Sequence, residues 1–110
     1  MLKITVIEGQ RRRRVIVEGK LIGPWTAELT SAYQRARTDL QDRELIVDLR
    51  GLTAIGPEGE DVLRELIREK VKFLGGVYTK EVLRQLGLKA RDNLREAGAE
   101  YMDSESTPKE

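Results

Sequence analysis

Apolar and polar residues first alternate with a period of two. Leu2, Ile4 and Val6 are separated by Lys3 and Thr5, the spacing of a strand with one buried face. Val15-Ile16-Val17 is a second β-branched run, and Gly9-Gln10 with the following arginines separates the two. An antiparallel hairpin is expected. The period then lengthens. Gly23-Pro24 breaks the chain, and Trp25, Leu29, Ala32, Tyr33, Ala36 and Leu40 recur at helical spacing, with Arg35, Arg37 and Asp39 on the other side. Proline suits a first helical turn, where its missing N–H leaves no bond unmade. Leu45-Ile46-Val47 shows no alternation and reads as a strand covered on both faces.

Residues 52–59 read as a loop, with a second helix beginning at or near Pro57. Val62, Leu63, Leu66 and Ile67 give its buried face. Glu58, Glu60 and Asp61 open it and Arg68 and Lys70 close it, each sign suited to its end of the helix dipole. Val71-Lys72-Phe73-Leu74 is a further buried strand, stopped by Gly75-Gly76. Thr79 is expected to cap a third helix over residues 80–86, with Val82, Leu83 and Leu86 inward and Gly87 as its left-handed terminator. A short polar helix over residues 90–97 and a frayed tail from Asp103 complete the reading. The order β-β-α-β-α-β-α implies an α/β fold with right-handed crossovers. Its mixed sheet has about four strands, mostly parallel with one antiparallel edge strand, and helices mainly on one face. Residues 1–88 form this domain, and 89–110 a polar C-terminal segment.

Composition narrows the function. A chain of 110 residues is one domain by length and buries roughly 65% of its unfolded surface. Lys and Arg number 20 against 19 Asp and Glu, so no global field favours nucleic acid or a membrane. Histidine and cysteine are both absent, which removes the usual zinc ligands, the neutral-pH acid–base group and the thiol nucleophile. No enzyme activity, cofactor or metal is expected. The lack of cysteine suits a reducing compartment. No basic leader precedes a long apolar stretch, and the apolar runs fall far short of the roughly 20 residues that span a bilayer. A cytoplasmic protein is the expectation.

The order of elements resembles the STAS domain, shared by bacterial anti-sigma-factor antagonists and the cytoplasmic tails of sulfate transporters. The residues that carry the resemblance are Val17-Glu18-Gly19-Lys20-Leu21 before the first helix, then Leu45-Ile46-Val47-Asp48-Leu49-Arg50-Gly51-Leu52-Thr53-Ala54-Ile55, and Leu83-Arg84-Gln85-Leu86-Gly87-Leu88 at the close. In that family the middle segment leads to Asp-Ser-Ser-Gly or a close variant, whose first serine is phosphorylated by a partner kinase to switch binding to an anti-sigma factor. Here the four positions are Gly56, Pro57, Glu58 and Gly59. Proline has no hydroxyl, so the usual phosphoswitch is lost at Pro57. The resemblance implies a non-enzymatic protein-interaction module whose partner is an anti-sigma factor, a serine kinase or another signalling protein.

The residues expected to meet that partner are Gly56, Pro57, Glu58, Gly59 and Arg64, with Glu65 and Arg68 beside them. Glu58 places a carboxylate near a helix start, where free N–H groups and the dipole favour anions by about 0.3–1 kcal/mol. One charge makes it a partial mimic of phosphate; Pro57 and Glu58 are also ordinary first-turn residues. Asp48 and Thr53 are candidates to support the loop or a ligand, and Thr53 is an alternative phosphorylation site. Tyr78 could line the same sheet edge. A nucleotide or other anion held near Asp48 and Gly56 is the alternative function. The tract Arg11, Arg12, Arg13 and Arg14 offers weak nucleic-acid binding as a second alternative, against a plainer role in blunting a strand edge.

Overall fold

The expected hairpin is present, and its second arm is longer than the β-branched run alone. In the structure, a computed structural model that describes residues 1–87 and the backbone of 94–96, β1 spans Leu2–Glu8 and β2 spans Arg12–Leu21. They pair antiparallel, Leu2 opposite Gly19 and Glu8 opposite Arg13. The Gly9 N–H donates to the Arg12 carbonyl at 2.8 Å and closes the turn over Gln10 and Arg11. Arg12, Arg13 and Arg14 are therefore strand residues rather than a linker, because the ladder to the next strand sets them opposite Glu44, Leu45 and Ile46. A single 3-10 turn at Gly23–Trp25 then leads into α1, Thr26–Ala36.

β3 covers Glu44–Ile55, α2 Pro57–Arg68, β4 Lys72–Gly75 and α3 Val77–Gln85. The sheet order follows the chain, with β1 and β2 antiparallel and the other pairs parallel. All four expected strands and three helices are there. A fifth, three-residue strand, β5, adds Leu94–Glu96 parallel to β4 where a polar helix was expected. Its pairing is long-range, which no local pattern reveals. The expected tail from Asp103 lies outside the described residues.

Residues 52–55 continue β3 instead of forming a loop. Leu52 stands opposite Gly19 and Ile55 opposite Leu21, and β3 carries one extra residue at each of two register shifts, opposite Ile16–Glu18 and Gly19–Lys20 of β2. Gly51 lets the strands approach, since a β-carbon there would lie 2.7 Å from the Glu18 side chain. α3 also begins earlier than Thr79. The Thr79 hydroxyl accepts the N–H of Gly76 at 3.0 Å from inside the first turn, so its polar side chain steadies the helix start without being the cap.

The core lies on one face of the sheet. Val15, Val47 and Phe73 stand abreast, and with Val17 and Leu49 they meet Leu29 and Tyr33 of α1, Leu63 and Leu66 of α2 and Leu83 of α3 in a single cluster. The opposite face carries charge across the strands: Glu44 lies 3.5 Å from Arg12 and 2.8 Å from Lys72. At the end of α1, buried Arg13 donates to the carbonyls of Ala36 and Thr38 and to Glu8. Arg43 donates to the carbonyls of Asp39 and Leu40 and to the same Glu8 carboxylate. These guanidinium groups satisfy the open Ala36 carbonyl at the end of α1 and carbonyls of the loop that follows it. They also hold the Glu8 carboxyl below its ordinary value, chiefly through the hydrogen bond from Arg13.

Candidate functional site

The turn is built from the end of β3, the end of β2 and the first turn of α2. Gly56 is the N-cap, with extended backbone, and Pro57 occupies the first turn. The Gly56 N–H donates to the Leu21 carbonyl at 3.0 Å, and the Glu60 N–H returns to the Gly56 carbonyl at 2.9 Å. Gly59 is buried against the same Leu21. A β-carbon there would sit 2.4 Å from the Leu21 carbonyl oxygen and 2.9 Å from Leu21 Cγ. The two glycines thus dock α2 on the tip of β2. Pro57 and Glu58, between them, are exposed. No side chain caps the N-terminus of α2.

The outward face of α2 continues from the turn. Arg64 is half exposed and lies 2.8 Å from Asp61 and 3.9 Å from Glu60; Arg68 pairs with Glu65. Such exposed pairs one turn apart stabilise a helix by only about 0.2–0.5 kcal/mol. A groove of about 270 Å³ runs between this face and α1. Tyr33, Val62 and Leu66 line its apolar part, and Asp61, Glu65 and Glu69 line its α2 rim. Arg37 lies 3.1 Å from Glu69 and stacks 5.4 Å from the centre of the Tyr33 ring. Burial raises the Tyr33 phenol above its ordinary value. The pattern did not single this groove out, although Asp61, Glu65 and Glu69 recur every four residues beside Val62 and Leu66.

Asp48 and Thr53 do not converge on the turn. Asp48 stands in the middle of β3, 2% exposed, opposite Ile16 and Leu74. Its two oxygens accept from Arg50 Nε at 3.0 Å and Nη2 at 2.8 Å, and from the Arg50 backbone N–H. It orients a neighbour on its own strand and lies inside the strand rather than at its carboxyl end. Thr53 is exposed, and its hydroxyl donates to the Gly19 carbonyl at 3.1 Å. β4 ends beside Leu49 while β3 runs six residues further, about 20 Å along the strand. Tyr78, just after β4, is therefore offset from the turn.

The arginine tract is dispersed. Arg13 is spent on α1, Arg12 faces Glu44, Arg14 is 5% exposed, and Arg11 is the member of the tract in the exposed class. Among the described residues no group of three or more Asp or Glu side chains could hold a metal ion, and no helix is long and apolar enough to cross a membrane.

This architecture is that of a STAS-like α/β domain. A similar solved structure is an uncharacterized protein of the DUF3478 family, with a SpoIIAA-like fold, from Shewanella loihica PV-4. It superposes with a TM-score of 0.59 over 92% of this chain and 89% of that one, at 12% sequence identity. No protein-family model matches the sequence, and no curated protein matches it. What the likeness establishes is the SpoIIAA-like fold.

Proposed function

We propose that the chain is a non-enzymatic protein-interaction module, resembling an anti-sigma-factor antagonist, that docks its partner through the turn and the outer face of α2. The observation that carries the reading is the geometry of Gly56 and Gly59. Both are held against the end of β2, so Pro57 and Glu58 project from a fixed first turn. Partners pay less ordering entropy on a preformed surface. Arg64 and the groove between α1 and α2 extend that surface with exposed charges and an apolar floor.

The partner is a cytoplasmic signalling protein of the anti-sigma-factor or serine-kinase kind. Pro57 stands where a phosphorylatable serine would, so docking is constitutive or controlled by something other than phosphate at that position. Thr53 is the exposed hydroxyl nearest in sequence. A protein partner is favoured over a nucleotide or anion because Asp48 is already engaged by Arg50, away from the helix start. It is favoured over nucleic acid because three of the four tract arginines are half-buried or buried in β2.

The test is affinity purification from the native host followed by titration of the recovered partner with single variants. Glu58→Lys and Arg64→Glu should each weaken binding about tenfold or more, the scale of a well-placed charge at an interface. Unchanged affinity in both would sink the reading.

A further inference from the structure

The outer edge of the sheet carries a second surface, independent of the turn. β1 is one of the two edge strands. The Lys20 N–H donates to the Met1 carbonyl and the Gly9 N–H to the Arg12 carbonyl. Both bonds involve odd-numbered residues at the ends of β1, and bonding alternates along an antiparallel strand. The odd residues of β1 therefore face β2, and the N–H and C=O groups of Leu2, Ile4, Val6 and Glu8 point away from it. Among the described residues no strand pairs with that side. The seven-residue strand has no proline and no bulge, and Val6 is 44% exposed. It lacks most of the devices that keep an edge from pairing.

We propose that this edge is the seam of a homodimer, in which β1 of one copy pairs antiparallel with β1 of a second around a twofold axis at Thr5. A twofold axis perpendicular to the sheet keeps each side chain on its own face, so residues of like parity meet. Centring on Thr5 uses the whole strand: Leu2 meets Glu8, Lys3 meets Ile7, and Ile4 meets the exposed Val6 of the second copy.

The helix above the strand fits the same axis. α1 packs over β1 and β2. With strands about 4.8 Å apart, the axis places the two α1 helices about 10–14 Å from each other, within reach of long side chains across the seam. The side of α1 facing the edge is marked by Ala32, Arg35 and Ala36, which line a groove of about 440 Å³ with Val6. Glu28 and Ser31, both exposed, lie one turn earlier on that side. In an antiparallel pair of these helices Glu28 of each copy meets Arg35 of the other, with small Ser31 and Ala32 at the crossing. The charge pattern is self-complementary, which is what selects a second copy of this chain as the occupant. Such a dimer leaves the α2 face of each copy free.

Sedimentation velocity on the full chain should show a concentration-dependent species of twice the 12.5 kDa chain mass. Val6→Pro removes an outward N–H while leaving the β2 ladder intact, and should return the monomer with unchanged circular dichroism. Arg35→Glu should weaken the dimer and Glu28→Arg/Arg35→Glu should restore it. The chain has no cysteine, so Thr5→Cys alone should form a disulfide-linked dimer on mild oxidation, and Lys3→Cys should not. A monomer at every concentration overturns the proposal. So does cross-linking through position 3 in preference to position 5, or a charge swap that fails to restore assembly.

Discussion

Replacing Gly59 with alanine tests the turn's construction most sharply, because helix propensity and packing oppose each other there. In an unobstructed helix the change would stabilise by about 1 kcal/mol. Here the added methyl would lie 2.4 Å from the Leu21 carbonyl oxygen, 2.9 Å from Leu21 Cγ and 3.2 Å from Ile55 Cγ2. The nearest of these is backbone, so relief requires α2 to lift from β2. Overpacking of this kind costs about 1–3 kcal/mol. Lifting also strains the bond from the Gly56 N–H to the same Leu21 oxygen, worth about 1 kcal/mol. The net expectation for Gly59→Ala is a loss of about 1–3 kcal/mol. Urea titration followed by circular dichroism measures it directly, and a domain this size should lose about 4–8 °C in Tm per kcal/mol. Gly76→Ala is the control: a β-carbon at that cap meets nothing within 4 Å, and its cost should stay below about 1 kcal/mol. Equal or greater stability for Gly59→Ala would refute the packing argument.

Two further outcomes follow from the arginines around α1. Arg13→Met strips the carbonyls of Ala36 and Thr38 of a buried donor, so it should cost about 2–4 kcal/mol in urea titration, while Arg11→Met at the exposed turn should cost almost nothing. Glu8 is held below its ordinary carboxyl value, so its contribution is present above about pH 4.5 and fades as pH falls through the folded value. The stability gap between the native chain and Glu8→Gln, read from urea midpoints, should therefore be constant near neutrality and close under acid; a gap that widens there would contradict the pairing with Arg13 and Arg43.

The parts of the fold that were legible in the sequence are those decided locally. Leu2, Ile4 and Val6 declared an amphipathic strand, the stripe through Leu29 and Tyr33 declared α1, and Pro57 marked the first turn of α2 because its ring suits that position and few others. What was not legible depended on pairing between distant segments. Leu52 and Thr53 read as loop, but β2 supplies a ladder that carries the strand to Ile55. The arginines after Gln10 read as a linker, yet Arg13 is drawn into the strand and inward by carbonyls at the end of α1. β5 has too few residues to show a period, and the groove beside α2 exists only once α1 and α2 lie side by side. The turn itself was found by position. The structure adds that its glycines serve the docking of α2 on β2, which leaves Pro57 and Glu58 as the residues free to touch something else.

Site-specific photo-cross-linking in the native host tests the docking claim most directly. A photoreactive residue would be placed in turn at Glu58, at Arg64 and, as a control on the far helix, at Gln85. Cross-linked products would be identified by mass spectrometry. The account predicts one and the same protein captured through positions 58 and 64 and absent at 85. Capture at all three positions alike, or at none, would contradict it.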